Sequence, residues 1–166
     1  FYWLCAHANF IDQSSHIYFF DDEKVIATNI HCVQQIKSQS LKLHNLQKKI
    51  EYQPNSRRIM KADFEAEKED GVIVTWSLMP KYHMYMCGLG YMHPDWGHGI
   101  FHGENQSLYD SYDLSQDPHD PPFLHIQAIC NFVMQDGDTK TQGIGVLEQL
   151  LIGPHFPSGF EGLLDG

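Results

Sequence analysis

The segment that decides the fold reads Met60-Lys-Ala-Asp-Phe-Glu-Ala-Glu67, then Glu69-Asp-Gly71, then Val72-Ile-Val-Thr-Trp-Ser-Leu-Met79. In its first part apolar and charged residues alternate strictly, which is the pattern of a strand with one buried face. Its last part is rich in β-branched and aromatic residues, which favour strands. Between them, Gly71 is free to adopt a positive φ angle and close a turn. The segment therefore predicts an antiparallel β-hairpin.

Similar strand patterns recur on both sides of this hairpin. Acidic turns at residues 21–23 and 135–138 separate neighbouring strands, and the proline-rich stretch 117–122 must be a loop. Residues 33–50 fit strands, with a short helix as the alternative, and the turn-rich residues 153–160 are expected to seal the barrel. Many short strands indicate an all-β barrel or sandwich. Further strands are expected at residues 2–10, 16–20, 24–30, 81–87, 99–104, 123–133 and 143–152.

The length and the charge of the chain limit the kinds of domain, partner and activity that it can have. All of residues 1–166 are expected to form a single β domain. The formal net charge of −10 disfavours nucleic acids and anionic membrane surfaces as partners. No apolar run approaches the ~20 residues of a membrane-spanning helix, and no secretion signal is visible. Motifs for a nucleophile elbow, a phosphate-binding loop or a dinucleotide site are absent, which disfavours hydrolases, kinases and dehydrogenases.

The four cysteines are Cys5, Cys32, Cys87 and Cys130. None of them belongs to a C-x-x-C pair, so a zinc ribbon and a thioredoxin-like redox motif are excluded. A chain of this length does not need disulfides for stability. We therefore expect free, mostly buried thiols in the reducing environment of the cytoplasm.

A glycine-rich segment, residues 88–104, carries the densest set of chemically active side chains. If the backbone is extended from Gly97 onward, His98, His102 and Glu104 lie on one face. Two imidazoles and a carboxylate on one face would bind a divalent transition metal such as iron or zinc, or would shuttle a proton. The spacing does not fit the cupin metal motif, and a glycine stands where helical zinc proteases need a glutamate.

A second candidate is the carboxylate Glu148, which lies in an apolar run. If Glu148 points inward, burial raises its pKa and makes it a general acid. Alternatively, it pairs with a nearby histidine or arginine, or faces solvent. His125 and Gln127 lie on the same face of another expected strand, where they would contact a ligand.

The segments Gly90-Tyr-Met-His-Pro-Asp-Trp-Gly-His-Gly99 and Gly145-Val-Leu-Glu-Gln-Leu-Leu-Ile-Gly-Pro-His155 resemble a bacterial family close to the carotenoid hydratase (hydroxyneurosporene synthase) group. The resemblance covers the second half of the chain, from Gly88 to Gly166. It implies a lipocalin-like antiparallel β-barrel that is the C-terminal half of a two-barrel protein, or that completes this arrangement as a homodimer. It also implies an apolar small-molecule site and addition of water to a double bond, or isomerisation, without a cofactor.

Applied to this chain, the resemblance requires a proton donor and a base that activates water. The candidates for these catalytic roles are His93, Asp95, His98, Glu104 and Glu148. The residues expected to contact an apolar ligand, such as a terpenoid, a polyketide or an aromatic compound, are Tyr91, Trp96, His125 and Gln127.

The sequence is compatible with three functions. The first is a β-barrel that binds an apolar small molecule and, if it is an enzyme, acts as a lyase (hydratase) or an isomerase. The second is a metal-dependent protein that uses His98, His102 and Glu104. The third is a non-catalytic domain whose apolar outer face packs on another copy or on an upstream barrel domain.

Overall fold

The computed structural model describes residues 2–22, 24, 28–85, 95–97, 99–109, 111, 113, 125–163 and 165. Within these residues the regular structure is β, apart from a short 3₁₀ helix at Phe156–Ser158. The strands are β1 (Tyr2–Asn9), β2 (Gln13–Asp21), β3 (Thr28–Ile36), β4 (Gln39–Lys42), β5 (His44–Tyr52), β6 (Ile59–Glu67), β7 (Ile73–Tyr85), β8 (His125–Asp136) and β9 (Thr139–Leu151).

In the described part of the chain, nine strands form one antiparallel sheet in the order β4-β3-β2-β1-β9-β8-β7-β6-β5. Every pair in this order is consecutive in sequence except β1 and β9, which join the first four strands to the last five. The sheet curls into a half-barrel, so that β3 approaches β5. The expected all-β, antiparallel fold is confirmed, and the strands follow an up-and-down order apart from the β1–β9 pair. Strands also replace the alternative short helix within residues 33–50.

Side chains alternate between a packed inner face and an outer face. The even-numbered residues of β1 belong to the core cluster, whereas its odd-numbered residues point outward. Phe19, Trp76 and Phe132 fill the inside of the half-barrel, and each is at most 2% exposed. Full burial of one such side chain contributes roughly 1.5–3 kcal/mol. The indole N–H of Trp76 donates a hydrogen bond to Oγ of Ser15 at 3.0 Å, so its polar group is satisfied.

A β-bulge changes which residues of β7 face outward. The register with β8 shifts between Pro80 and Tyr82, so Lys81 is the extra residue. Proline has no N–H to donate to a ladder, and bulges are one of the few places in a sheet that accept it. Even-numbered residues such as Leu78 are buried before the bulge, whereas the even-numbered Tyr82 and Met84 are exposed after it. Two expected strands, residues 72–79 and 81–87, are therefore one strand as far as Tyr85.

One end of the half-barrel is closed by a buried polar network. The carboxylate of Asp21 is completely buried and forms an ion pair with Lys48, and its Oδ2 lies 3.5 Å from Nε2 of His155. The His155 ring stacks on Tyr2 with centroids 3.9 Å apart. The Tyr2 hydroxyl lies 2.9 Å from that of Tyr52, and burial raises the pKa of Tyr2 well above its usual value. The ion pair with Lys48 thus compensates the charge of the buried Asp21 carboxylate.

The C-terminal segment is held in place by Arg57, which is 4% exposed. Its guanidinium donates hydrogen bonds to the carbonyl oxygens of Gly153 at 2.7 Å and of Gly162 at 3.2 Å, and it pairs with the Asp165 carboxylate. It also lies 4.4 Å from the ring centroid of Phe160, which enters the core. The turn-rich segment 153–160 therefore seals this end, as expected.

The glycine-rich segment corrects one expectation. Residues 99–104 form no strand, because Gly99 (φ 79°) and Gly103 (φ 108°) adopt left-handed conformations. The N–H of Ile100 bonds to the carbonyl oxygen of Gly97 at 3.2 Å and forms a turn instead. The expected loop at residues 117–122 lies outside the described residues.

The expected free thiols are confirmed where they are described. Cys5, Cys32 and Cys130 are buried and form no disulfide, whereas Cys87 lies outside the described residues. Among those residues, no helix has the length and apolar character to span a membrane.

We expect Gly145 of β9 not to tolerate a side chain. A Cβ atom at this position would lie 1.9 Å from the carbonyl oxygen of His7 and 2.8 Å from Cε2 of Phe132, so a neighbouring strand would have to move. Gly145→Ala should lower the free energy of unfolding by about 1–3 kcal/mol, the usual cost of overpacking. Urea denaturation would measure this loss, with Gly162→Ala as the control because its Cβ would lie 3.4 Å from Asp165. Equal losses in the two variants would contradict this role of Gly145.

Candidate functional site

The strand register brings polar side chains into one row across the outer face of the sheet. Cys5 on β1 lies opposite Tyr18 of β2 on one side and opposite Glu148 of β9 on the other. Glu148 in turn lies opposite Gln127 of β8. Directly opposite residues on one face of an antiparallel pair are close enough for their side chains to interact. Four strands therefore contribute to this row.

Two further rows flank the first. His7 of β1 lies opposite His16 of β2. On the other side, Trp3 of β1 lies opposite Leu150 of β9, and Leu150 lies opposite His125 of β8. Together the rows form a patch that we name the outer-face cluster, defined by Trp3, Cys5, His7, His16, Tyr18, His125, Gln127 and Glu148.

The closest acid–base contact of the outer-face cluster joins His125 and Glu148. Nε2 of His125 lies 2.6 Å from Oε1 of Glu148, and the His125 and Glu148 side chains are 9% and 23% exposed. Burial alone would raise the pKa of Glu148, but hydrogen bonds from His125 and Gln127 outweigh it and hold this pKa below its usual value. The Trp3 ring meets the His125 ring edge-on, with centroids 6.2 Å apart.

This geometry decides between the two expectations for Glu148. The raised pKa expected for an inward carboxylate is wrong, because Glu148 lies on the outer face and accepts hydrogen bonds in its charged form. The alternative, a pairing with a nearby histidine, is confirmed. A proton can be shared across the short contact between Nε2 and Oε1, so the pair is suited to proton transfer.

A sulfur and two imidazoles meet beside this pair. Sγ of Cys5 lies 3.4 Å from Nε2 of His7, and Nδ1 of His7 lies 3.1 Å from Nδ1 of His16. Burial and the Glu148 charge raise the pKa of the Cys5 thiol to about 11. Burial, together with the nearby His7 and His31, lowers the pKa of His16. The thiol is therefore protonated and His16 is biased towards its neutral form near neutral pH.

An apolar depression of about 120 Å³ lies on β7, β8 and β9, next to the outer-face cluster. Its lining includes Tyr82, Met84, Ile129 and Val146, and it also includes Gln127. Because Gln127 hydrogen-bonds Glu148, the depression adjoins the acid–base pair. Tyr82, Met84 and Ile129 are about half exposed, which is unusual for large apolar side chains grouped on one surface.

A larger depression of about 590 Å³ lies among β5 to β9 and is lined mainly by polar and charged side chains. Its charged residues include Lys49, Asp63, Glu65 and Lys140, of which Asp63 pairs with Lys61 at 2.6 Å. Positive and negative side chains that are mixed along an open surface are typical of a solvated face. The size of this depression therefore does not make it the better candidate site.

The described residues of the glycine-rich segment lie outside the nine strands. The Trp96 ring stacks on His102 with centroids 4.3 Å apart, and Asp95 and Glu104 are exposed. Residues 99–104 form no strand, so the extended backbone that was expected to place His102 and Glu104 on one face is wrong. Three of the expected residues, namely Tyr91, His93 and His98, lie outside the described residues, so their roles stay predictions.

Sequence reasoning overlooked the contributions of β1 and β2. Trp3, Cys5 and His7 are spaced two residues apart within the expected strand at residues 2–10, so their common face could have been predicted from the sequence. His16 gives no such signal, because its position depends on the pairing of β1 with β2. By contrast, the expected common face of His125 and Gln127 is present on β8.

A protein-family model matches nearly the whole chain. The model of the family of unknown function DUF8625 matches residues 1–161. The chain belongs to this family. This assignment replaces the carotenoid hydratase group that two of its segments resemble. No curated protein sequence matches this DUF8625 member.

Among solved structures, this DUF8625 member is similar to kievitone hydratase from Nectria haematococca, with 12% sequence identity and a TM-score of 0.49. The similarity covers 90% of this chain and 39% of that chain. The chain therefore spans well under half the length of that protein, and a similarity at this level carries no functional argument.

Glu148 should stabilise the fold at neutral pH and lose this effect in acid. Its pKa lies below the usual value of 4.5 in the folded chain, so folding favours the ionised form. This stabilisation is complete above the unfolded-state pKa and is lost as the pH falls through the folded-state pKa. The loss of unfolding free energy caused by Glu148→Gln should therefore shrink on acidification below pH 4.5.

Urea denaturation at a series of pH values would measure this difference. The control is Glu104→Gln, because Glu104 is exposed and its replacement should change stability little at any pH. A difference for Glu148→Gln that grows on acidification would contradict the pairing with His125.

Proposed function

We propose that this chain binds an apolar small molecule on the outer face of the half-barrel and that His125 and Glu148 perform acid–base chemistry on it. The observation that carries the proposal is the 2.6 Å contact between His125 and Glu148, beside the apolar depression that Gln127 shares. Small-molecule sites commonly combine an apolar wall with a few convergent polar groups. The interior positions are filled by side chains such as Trp76, which favours the outer face over a barrel pocket.

The chemistry we propose is addition of water to a carbon–carbon double bond, or isomerisation of one. The proton shared by Nε2 of His125 and Oε1 of Glu148 passes to one carbon of the double bond, and the pair keeps one negative charge. A water oxygen then bonds to the adjacent carbon, and the proton that this water releases returns to the pair. In isomerisation, the pair instead removes a proton from a neighbouring carbon. Neither route consumes a cofactor, and general acid–base catalysis of this kind contributes typically 10²–10⁴-fold.

The substrate class follows from the wall of the depression. Tyr82, Met84 and Ile129 offer apolar area without a fixed charge, which suits a terpenoid, a polyketide or an aromatic compound. Methionine adapts its shape to irregular ligands, and Gln127 supplies an amide that can bond a ligand oxygen. Trp3 adds an aromatic surface on the far side of His125.

We expect the acid–base variants to lose turnover while they keep ligand binding. A panel of unsaturated terpenoids, polyketides and aromatic compounds would be incubated with the protein, and mass spectrometry would detect products heavier by one water or isomers with new retention times. His125→Gln and Glu148→Gln should lower the rate about 100-fold or more, the lower end of general acid–base contributions. Unchanged rates in both variants would overturn the assigned chemistry.

Binding should depend on the apolar wall. Ile129→Asp places a charge in the depression and should weaken binding of any panel compound at least about tenfold, because an unpaired charge is costly beside apolar surface. Tryptophan fluorescence or ligand-observed NMR would measure the affinity. Asp63→Asn, in the larger polar depression, is the matched control and should leave binding unchanged. Equal losses in the two variants would argue against the apolar depression as the site.

The same exposed apolar surface favours a second candidate function, association with another copy or with a further barrel domain. Tyr82 and Ile129 lie opposite each other and are both exposed, as is Ile144 of β9. Surfaces of this kind commonly mark protein interfaces as well as ligand sites. Sedimentation analysis separates the two functions, because an interface predicts a dimer that Ile129→Asp converts to a monomer.

A further inference from the structure

Among the described residues, three metal-ligating side chains lie close together on β1 and β2. Cys5, His7 and His16 each offer one ligand atom, and these atoms all lie within 4.8 Å of one another. Of the described residues, they are the ones that form such a group of three. The proposed acid–base function does not use these ligand atoms.

We propose that Cys5, His7 and His16 form a transition-metal site that takes Zn²⁺. The site goes beyond the proposed function, because it stands whether or not His125 and Glu148 act on an organic ligand. Its ligand set combines one sulfur with two ring nitrogens, and such mixed sets suit zinc better than they suit magnesium or calcium.

The fold fixes the positions of these three ligands. Cys5 and His7 are two residues apart on β1, so they project from the same face, and His7 pairs directly with His16 across the β1–β2 ladder. The ladder is continuous from Tyr2 opposite Asp21 to Asn9 opposite Ser14. A site on two hydrogen-bonded strands needs little backbone reorganisation when the metal binds.

Small side-chain adjustments would bring the three ligands to the separations of a tetrahedral zinc site. Bond lengths of ~2.3 Å to sulfur and ~2.0–2.1 Å to nitrogen place neighbouring ligand atoms roughly 3.3–3.6 Å apart. One ligand atom from each of the three residues lies within 4.8 Å of the others. The two shortest contacts use different nitrogens of His7, because Sγ of Cys5 lies 3.4 Å from its Nε2, whereas Nδ1 of His16 lies 3.1 Å from its Nδ1. Rotation of the exposed His7 ring would direct one of its nitrogens to the shared metal. Three protein ligands leave the fourth position to water.

The surroundings of the three ligands favour a cation. The Glu148 carboxylate faces Cys5 from β9 and adds negative charge beside it. A cysteine binds a metal as the thiolate, so metal binding would release the Cys5 proton.

The test uses Co²⁺ as a spectroscopic substitute for Zn²⁺ on the full chain. Titration of the metal-free protein should give one Co²⁺ per chain and a cobalt–thiolate charge-transfer band in the near ultraviolet, and Zn²⁺ should remove the band by displacement. Cys5→Ser should abolish the band. His7→Ala and His16→Ala should each weaken Co²⁺ binding at least tenfold, and because His7 is exposed its variant should fold normally by circular dichroism.

Two control variants test whether Co²⁺ binds specifically to these three ligands. His44→Ala removes an exposed imidazole from β5 and should leave Co²⁺ affinity unchanged, whereas an equal loss there would mean non-specific histidine binding and overturn the proposal. His125→Gln should keep the band, which separates this site from the acid–base pair. A band that survives in Cys5→Ser, or no band at one equivalent of Co²⁺, would also overturn it.

Discussion

Strand β1 pairs with β9 from Tyr2 opposite Leu151 to Asn9 opposite Ile144, and this ladder makes one sheet out of two separate runs of strands. The ladder is tight because Gly145 has no side chain: its backbone lies against the carbonyl oxygen of His7. The same ladder places Cys5 opposite Glu148, although 143 positions separate them in sequence (148 − 5). Both the closed core and the outer-face cluster therefore depend on a contact between the two ends of the sheet-forming sequence.

The fold class could be predicted because alternation is a local signal. Ala62, Phe64 and Ala66 are buried as the pattern of β6 indicates, since period two with one polar face admits few other structures. The bulge on β7 could not be predicted in the same way. It adds one residue between Pro80 and Tyr82 and reverses the pattern, and a reversal of this kind also fits two separate strands. The turn at residues 99–104 was missed because glycines accept extended and left-handed backbone alike.

The candidate site was less predictable than the fold, for a physical reason. His125 and Gln127 lie on one strand, so their common face follows from spacing alone. The contact of His125 with Glu148 and that of His7 with His16 depend on which strands pair and in what register. Register depends on turns, bulges and packing throughout the sheet. A dense run of polar residues, such as residues 88–104, attracts attention in a sequence, whereas this site is assembled from four strands.

Inward and outward side chains alternate along β1, so the two faces of this strand can evolve separately. Its inward residues, Tyr2 and the apolar side chains that follow, pack in the core, and its outward residues include Trp3, Cys5 and His7 of the outer-face cluster. The two sets are interleaved along one strand but project from opposite faces of the sheet. Substitutions in the outward set can therefore accumulate without loss of the core, and one scaffold can exchange its reactive groups while its shape persists. Descendants of a common ancestor could thus diverge in chemistry long before they diverge in fold.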